Sequence, residues 1–500
     1  MTLLIVLLCL AATVAGTPRW LRVAQREHYV PWSVTWTDQL WLLRTPLSAA
    51  LSVVVLGWFV LGVLVSPWFY AAAAITAQLT PVGLPYRGRT SKLAWTPRVR
   101  RLAIVLGLLV LLISVWGPVP AMATSLFLTS LVDVALAIVR PLELRLSRTF
   151  LTKAKDKVGK VRPRVVAITG SYGKTTTKNY LAHLLSQTHT VLASPASFNN
   201  AMGLSRAVNE GLVPGTEIFV AEMGTYGKGE IAGLCEVFPP DIAVLTAIGE
   251  VHLQRMKTRE GVLAAKAEIT VKAPIVVLNI DDDLLVGLAT TLAGQGKRVI
   301  RCSVLDRGAD VAIVDGVLYV EGTALGPADL PDSVHPANAA CAVGAAVALD
   351  DDAAALRPRL ASLPSVAHRL EPIAQPGGSW ILDDTYNSNP AGAAEAVRRA
   401  AVLAERSGGR VHVVTPGMVE LGSVQKQRNT EFAQAIRDAG AATLVVVGRT
   451  NGSALRAGGT GGGTEVLSVP TRQEAVTLVE GRSKPGDVVL FENDLPDHYP

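Results

Sequence analysis

Three apolar segments in the first third of the chain constrain its fold more than any other feature. They cover residues 3–15, 47–79 and 102–139 of a 500-residue sequence. A helix needs about 20 apolar residues to cross a bilayer. The third segment is long enough for two crossings and contains a Gly-Pro-Val-Pro turn at 117–120. The sequence therefore predicts an α-helical transmembrane region of about four helices, at residues 1–16, 47–70, 102–117 and 121–139.

Basic residues flank these segments in two clusters, between residues 81 and 101 and between residues 140 and 164. Cytoplasmic loops carry an excess of Lys and Arg, so both clusters are expected on the cytoplasmic side. We therefore predict a multi-pass protein of the cell membrane, with the lipid bilayer as a partner and the remaining domains in the cytoplasm. A cleaved signal peptide at residues 1–16 is the alternative for the first segment.

Composition excludes two further classes of protein. The net charge of +6 comes with basic residues crowded in the first third and without interleaved aromatic residues, so no nucleic-acid partner is expected. No Cys-x-x-Cys pair occurs, which argues against a disulfide framework or a zinc ribbon and fits a reducing compartment. The oligomeric state stays open. The cysteines, which we expect to be buried, are Cys9, Cys235, Cys302 and Cys341.

A phosphate-binding loop follows the membrane region. An apolar strand at 165–168 is followed by Thr-Gly-Ser-Tyr-Gly-Lys-Thr-Thr-Thr at 169–177 and a helical pattern. Such a turn presents backbone N–H groups and the positive end of a helix to phosphates. We expect Lys174 to neutralise the phosphates of ATP and Thr175 to bind Mg²⁺. The predicted phosphate-binding residues are Gly170, Ser171, Gly173, Lys174, Thr175 and Thr176.

A carboxylate follows the next apolar strand. Residues 218–221 are apolar and lead directly to Glu222. An acid at the carboxyl end of a strand beside a phosphate loop is well placed to hold Mg²⁺. Glu222 is therefore the predicted carboxylate ligand of that ion.

The compact phosphate loop and several later motifs resemble the Mur ligase family, and within it the MurF type. The resemblance covers about residues 164–495. The motifs are Asn-Asn-Ala-Met-Gly at 199–203, Gly-Glu-Val-His at 249–252, Ala-Ala-Lys-Ala-Glu at 264–268, His-Pro-Ala-Asn at 335–338, Asp-Asp-Thr-Tyr-Asn-Ser-Asn-Pro at 383–390 and Gly-Met-Val-Glu-Leu-Gly at 417–422.

The apolar segments, the change to strand-and-helix alternation and the resemblance together predict the domain order. Residues 1–150 form the transmembrane region, residues 151–367 a central α/β domain with the phosphate loop, and residues 368–500 a Rossmann-like α/β domain. A glycine-rich stretch at 458–463 is predicted to be a loop between elements of the last domain.

The resemblance also assigns site residues beyond the phosphate loop. It implies two Mg²⁺ ions, with His252 helping to bind the second and Lys266 carrying a carbamate that bridges metal. The implied catalytic residues are Lys174, Glu222, His252 and Lys266. The implied nucleotide contacts are Asn279 and Asn338 near the adenine, Arg369 near the phosphates and Asp384 at the ribose. The implied substrate contacts are Asn199, Asn200, Tyr386, Asn387 and Asn389.

The family's reaction is ATP-dependent amide ligation. ATP phosphorylates a carboxylate, an amine attacks the acyl phosphate, and ADP and phosphate are released. Two departures bear on the substrates: membrane segments replace the UDP-binding domain of the MurF type, and an acidic terminus, Leu-Phe-Glu-Asn-Asp-Leu-Pro-Asp at 490–497, stands where that type resembles Val-Lys-Gly-Ser. We therefore expect an amino acid or dipeptide to be joined to a free carboxylate of a peptidoglycan-like cell-envelope precursor that is lipid-linked or membrane-proximal.

Three alternatives remain at this stage. A membrane-tethered synthetase of the poly-γ-glutamate type would add glutamate repeatedly. A catalytically idle scaffold would bind ATP without turnover. An ATP-driven transporter would need an LSGGQ signature, which the sequence lacks.

Overall fold

The computed structural model describes residues 1–86, 92–196, 198–365, 370–385 and 388–495, without the side chains of Arg44 and Glu371. The chain forms two compact units. The first comprises Met1–Ser147 together with the C-terminal residues from Leu495, and the second comprises Arg148–Asp494.

The first unit is entirely helical in the part that the structure describes. Its core includes buried residues of the first, fourth and sixth helices, among them Ile5, Ala74 and Ala121. Many large apolar side chains point outward instead, among them Leu56 and Leu108. The helices are α1 (Thr2–Arg26), α2 (Ser33–Arg44), α3 (Pro46–Leu64), α4 (Trp68–Ala77), α5 (Pro97–Ser114), α6 (Pro118–Leu126) and α7 (Leu128–Val161), whose last turns belong to the second unit.

The helices of this unit differ from the predicted spans. Among the described residues, α1 and α3 are long and apolar enough to cross a membrane, and α6 with α7 could form a third, bent crossing. A single helix over residues 121–139 is wrong, because the chain bends by 81° between α6 and α7 at Phe127, whose φ and ψ are −102° and 27°. Pro67 likewise separates α3 from α4 within the predicted span 47–70. The count of four crossings stays a prediction.

A buried carboxylate that the sequence analysis missed holds α2 in place. Asp133 of α7 is fully buried and accepts hydrogen bonds from the backbone N–H groups of Trp32 and Thr35 at 2.7 and 2.8 Å. The hydroxyl of Thr35 adds a third at 2.6 Å. A carboxylate at a helix N-terminus satisfies backbone donors that the helix itself cannot. Asp133 therefore joins α2 to α7.

The second unit begins with a nine-stranded sheet, the middle sheet, in the order β2-β3-β1-β4-β5-β6-β7-β8-β9. Strands β1 to β7 pair in parallel, and β8 and β9 are antiparallel. The strands are β1 (Arg164–Thr169), β2 (Val191–Ala193), β3 (Ile218–Glu222), β4 (Ile242–Leu245), β5 (Ile275–Asn279), β6 (Arg298–Ser303), β7 (Val311–Val314), β8 (Val317–Val320) and β9 (Thr323–Pro327).

Helices cover both faces of the middle sheet, which explains why β3 and β4 are buried along their whole length. Two 3₁₀ helices, Glu268–Thr270 and Arg357–Ser362, accompany them. The helices are α8 (Lys174–Leu185), α9 (Ala201–Gly211), α10 (Glu230–Val237), α11 (Leu253–Met256), α12 (Arg259–Ala267), α13 (Asp283–Gly294), α14 (Pro336–Val347) and α15 (Ala353–Leu356).

A second sheet, the C-terminal sheet, has the order β10-β11-β15-β12-β13-β14 and is parallel except for β10. The predicted α/β fold class is thereby confirmed. The elements are β10 (Glu371–Ala374), β11 (Trp380–Asp384), α16 (Pro390–Ser407), β12 (Val411–Thr415), a 3₁₀ turn (Gly422–Val424), α17 (Gln425–Asp438), β13 (Thr443–Val447), α18 (Gly452–Gly459), β14 (Glu465–Val469), α19 (Arg472–Glu480) and β15 (Val488–Glu492).

The prediction of a loop throughout 458–463 is wrong at its start. Gly458 and Gly459 form the last turn of α18. A Cβ atom on Gly458 would lie 2.1 Å from the carbonyl oxygen of Thr430 in α17. Glycine is therefore needed there because the two helices approach closely, and not because the chain turns.

Candidate active site

The phosphate loop connects β1 to α8 and is fixed by its neighbours. Gly173 has a φ of +81°, and a Cβ atom there would lie 2.3 Å from Oδ1 of Asn338. The hydroxyl of Thr246 donates to the carbonyl of Tyr172 at 2.5 Å. The hydroxyl oxygen of Ser171 accepts a hydrogen bond from the N–H of Gly249 at 2.8 Å. The loop is therefore fixed at the N-terminus of α8, where backbone N–H groups suit phosphate oxygens.

Lys174 lies over this loop. Its ammonium group donates to the carbonyl oxygens of Gly170 and Ser171 at 2.8 and 3.3 Å. The predicted phosphate-binding cation is therefore positioned at the loop itself.

Glu222, the last residue of β3, is the centre of a polar cluster beside the loop. Its Oε2 accepts from the Thr175 hydroxyl at 2.8 Å and from Nζ of Lys178 at 3.3 Å. Its Oε1 accepts from Nδ2 of Asn199 at 3.2 Å. The side chains of Glu222 and Lys178 are both 1% exposed. Burial lowers the pKa of Lys178, while the charge of Glu222 opposes that shift.

These donors fit Mg²⁺. The oxygens of Thr175 and Glu222 converge beside the phosphate loop, and Mg²⁺ in nucleotide sites is commonly held by one or two carboxylates together with substrate phosphates. Within the described ranges, no three His, Cys, Asp or Glu side chains group closely enough to hold a metal ion by themselves. An ion at this site would therefore need further ligands from the phosphates of the nucleotide.

Lys266 lies on α12 and is 2% exposed. Its pKa is well below the usual value for a lysine, mainly because burial disfavours the charged form and secondly because Lys174 is also cationic. The side chain is thus held where a neutral amine is favoured.

His252 contacts the C-terminal part of the chain. Its Nδ1 lies 2.5 Å from Oε2 of Glu420. The ring of Tyr226 packs edge-on against the imidazole, with 4.9 Å between the ring centroids. Two loops distant in sequence therefore determine the orientation of this histidine.

A cleft of about 510 Å³ opens beside the phosphate loop. Its walls come from both sheets of the second unit. The predicted site residues that line it are Gly173, Thr176, Asn279, Asn338, Asp384 and Asn389.

The two residues that are predicted to contact adenine, Asn279 and Asn338, both line this cleft. Nδ2 of Asn279 donates to the carbonyl of Thr246 at 3.0 Å, which fixes the amide at the end of β5. Asn338 lies in the first turn of α14 and approaches Gly173. The neighbouring His335 also lines the cleft, and burial together with the charge of Arg399 lowers its pKa.

Other predicted contacts have a structural role or lie outside the described residues. Asn200 caps α9 by accepting from the N–H of Gly203 at 2.9 Å. Asn389 caps α16 in the same way, accepting from the N–H of Gly392 at 2.9 Å. The predicted residues outside the described ranges are Arg369, Tyr386 and Asn387.

Several residues of the site were missed by the sequence analysis. Lys178 lies four residues after Lys174 on α8, and this helical spacing was a usable signal. Arg259 donates to the carbonyl of Ile248 at 3.2 Å and to Asp282 at 3.3 Å. The missed residues that line the cleft include Tyr172, Arg259, Asp282, His335, Arg398 and Arg399.

A second buried carboxylate ends β15. Glu492 is aligned with Asp384 in the neighbouring strand. It accepts hydrogen bonds from the hydroxyl of Thr415, at 2.7 Å, and from that of Ser388. Burial raises the pKa of Glu492 to about 7, with a smaller contribution from Asp384.

Comparisons with known proteins agree with this architecture. The Mur ligase middle domain matches residues 168–325, and the Mur ligase glutamate ligase domain matches residues 368–492. A UDP-N-acetylmuramoyl-tripeptide--D-alanyl-D-alanine ligase from Mycobacterium leprae is 28% identical over 66% of this chain and 70% of its own length. A UDP-N-acetylmuramoylalanine--D-glutamate ligase from Pelotomaculum thermopropionicum is 30% identical over the same shares.

A solved structure shares the same fold. MurF ligase from Thermotoga maritima, in complex with ADP, superposes with a TM-score of 0.57 and 26% identity, covering 70% of this chain and 80% of its own. The phosphate loop, the two mainly parallel sheets and the two matched domains all indicate the same family. The chain therefore belongs to the Mur ligase family of ATP-dependent ligases, which form C–N bonds between an acid and an amino acid.

Proposed function

We propose that this protein joins an amino acid or dipeptide to a free carboxylate of a cell-envelope precursor through an acyl phosphate. One observation carries the proposal: the phosphate loop, the Thr175–Glu222 pair and the nucleotide cleft lie together at the carboxyl ends of β1, β3 and β5. In open α/β sheets, ligands bind at this edge.

Residues of this chain would have different roles in the reaction. Backbone N–H groups of the phosphate loop and Lys174 would bind the transferring phosphoryl group, and Asn338 and Asp384 would orient the nucleotide. The acceptor carboxylate would attack the γ-phosphorus, and ADP would leave. The amine would then attack the acyl carbon, lose a proton and expel phosphate. Closure of the cleft would exclude water, which would otherwise hydrolyse the acyl phosphate.

Mg²⁺, when bound, would neutralise charge on the phosphoryl group and orient it. Thr175 and Glu222 would hold one ion, and His252 with Lys266 would hold a second. Asn199 would keep Glu222 in position through its amide.

Carbamylation of Lys266 is part of the proposal. A neutral amine can attack CO₂ and, after losing a proton, becomes a carbamate anion. The burial and lowered pKa of Lys266 support this reaction, because both favour the neutral amine. The carbamate would supply oxygen ligands that an ammonium group cannot.

The substrates are inferred from relatives and from the first unit. The relative from Mycobacterium leprae is named for D-alanyl-D-alanine and a UDP-muramoyl-tripeptide, which supports a dipeptide amine and a peptidoglycan-like acceptor. A membrane region at residues 1–150, in front of domains at 151–367 and 368–500, favours an acceptor at the membrane surface. Exposed apolar side chains such as Leu56 and Leu108 support a lipid bilayer as partner of a multi-pass protein. The two basic clusters beside the apolar segments support cytoplasmic catalytic domains.

The test is turnover by the full-length chain in lipid nanodiscs. Phosphate release would be followed with ATP, Mg²⁺, soluble or lipid-linked muramoyl-peptide acceptors, and D-alanyl-D-alanine, D-alanine or glutamate as the amine. We expect release that needs both acceptor and amine. Repeated glutamate addition would identify a poly-γ-glutamate-type synthetase instead.

Absence of amine-dependent release with every acceptor would contradict the proposal. Lys174→Ala then separates enzyme from scaffold in cells. We expect loss of the cellular function, whereas an idle scaffold would keep it.

A further inference from the structure

We infer that Glu420 is a positioning residue, which orients His252 for metal binding. The inference rests on the proposed function, because it takes His252 as a metal ligand. Neither the predicted site nor the catalytic steps above include Glu420.

The first support is the geometry of the histidine. Nδ1 of His252 lies 2.5 Å from Oε2 of Glu420. When Nδ1 donates to a carboxylate, Nε2 keeps its lone pair and is the nitrogen that can bind a metal ion. Tyr226 packs against the ring and limits its rotation. The carboxylate therefore selects the tautomer that a metal ligand needs.

The second support is that the backbone fixes Glu420 opposite the histidine loop. The carbonyl of Glu420 accepts a hydrogen bond from the N–H of Gln254 at 3.1 Å. Gly422, with a φ of +61°, lies so close to this loop that a Cβ atom would be 3.3 Å from the carbonyl of Leu253. Main-chain contacts therefore hold the segment that contains Glu420 against the loop that carries His252.

A neighbouring ion pair joins the same two segments without touching the histidine. Arg428 of α17 donates to both carboxylate oxygens of Glu250 at 2.6 Å. Loss of this pair should weaken the contact between the two segments and leave the carboxylate of Glu420 beside His252. The pair therefore separates an effect of weaker contact between the segments from an effect of the Glu420 carboxylate itself.

The experiment measures metal binding by the full-length chain in nanodiscs, with Mn²⁺ in place of Mg²⁺ and a non-hydrolysable ATP analogue. Electron paramagnetic resonance would count bound Mn²⁺, and electron spin echo modulation would detect an imidazole nitrogen on the ion. We expect an imidazole signal in the wild type and none in His252→Ala. In Glu420→Ala, we expect the affinity of the histidine-bound ion to fall about 10- to 100-fold.

Two variants serve as controls. Glu420→Gln keeps an acceptor oxygen and should retain more affinity than Glu420→Ala. Arg428→Ala should leave the affinity and the imidazole signal unchanged, although it removes an ion pair between the same segments.

The outcomes that overturn the inference are defined by metal binding alone. They are an unchanged Mn²⁺ affinity in Glu420→Ala, an equal loss in Arg428→Ala, or a wild type without an imidazole signal. Failure of the proposed function would appear separately, as absence of amine-dependent phosphate release by the wild type.

Discussion

Lys178 and Glu222 form a buried ion pair at the centre of the candidate site. Replacing Lys178 with Met would remove the ammonium group beside the buried carboxylate of Glu222, whose other side-chain donors among the described residues are the hydroxyl of Thr175 and the amide of Asn199. We expect a loss of stability of about 3 kcal/mol, the lower end for breaking a buried pair. Thermal unfolding of the second unit within the full-length chain would measure it.

The matched control is Lys297→Met. Lys297 is a half-buried lysine that donates to the carbonyls of Val271 and Ala273. Its replacement should change stability little. A double variant, Lys178→Met with Glu222→Leu, should recover much of the loss, and equal destabilisation in the single and double variants would contradict the electrostatic explanation.

Lys174 is the residue on which ATP turnover most depends in the proposed mechanism. We expect Lys174→Ala to lower kcat about 10²- to 10³-fold, because one stabilising charge on the transferring phosphoryl group is lost. Phosphate release under saturating ATP would measure the change. Lys297→Ala, which removes another lysine bonded to main-chain carbonyls, should keep wild-type turnover.

Sequence reasoning reached the residues of the site that lie inside local motifs. Thr175 and Glu222 were predicted from a turn and from a strand end, and they are in contact. Lys178 and Glu420 were missed as site residues, because their roles depend on which distant segments the fold brings beside them. His252 and Glu420 are separated by 168 positions, and nothing local to either residue indicates the other.

At the scale of single elements, the turn before α8 needs glycine for two reasons. Gly173→Ala would meet both an unfavourable φ of +81° and the side chain of Asn338. We expect the phosphate loop to shift and nucleotide affinity to fall at least about tenfold, the equivalent of 1.4 kcal/mol of strain. Binding of a fluorescent ATP analogue would measure the affinity.

Gly215→Ala is the control for this substitution. Gly215 has a similar φ of +88° but open space at the Cβ position, and it lies outside the cleft. It should lose some stability and keep nucleotide affinity. Equal affinity in the two variants would contradict a specific role for Gly173.

The end of β15 should make stability depend on pH. The folded pKa of Glu492 is about 7, above its unfolded value, so the folded protein binds more protons between about pH 4.5 and 7. This contribution is complete at low pH and is lost as pH rises through 7. Glu492→Gln should flatten that part of the curve, as measured by the difference in unfolding temperature between the two proteins from pH 4.5 to 7.5. Parallel curves would contradict the assignment.

Element type followed from the sequence more reliably than element ends. The strand-and-helix alternation from residue 165 onward is confirmed, because apolar runs and glycine turns are local signals. The bend at Phe127 and the close contact at Gly458 were missed, and the second of these depends on packing between α17 and α18. The antiparallel strands β8 and β9 also had no motif to mark them.

At the scale of the whole molecule, the membrane region makes a topology prediction. With four crossings and both basic clusters inside, Gly117→Cys should react with a membrane-impermeant maleimide in intact cells, and Lys160→Cys should react only after lysis. The native cysteines are buried and should give little background. Labelling of Lys160→Cys in intact cells would contradict the cytoplasmic location of the catalytic domains.

The nucleotide cleft takes residues from both the middle and the C-terminal sheet, among them Asn279 and Asp384. A bound nucleotide is then a non-covalent crosslink between two parts of the chain. At a hundred times its dissociation constant it would stabilise the folded form by about 2.7 kcal/mol. A cell with abundant ATP would therefore protect this protein from proteolysis, and a starved cell would degrade it sooner, so that the amount of enzyme would follow the energy supply without any dedicated regulator.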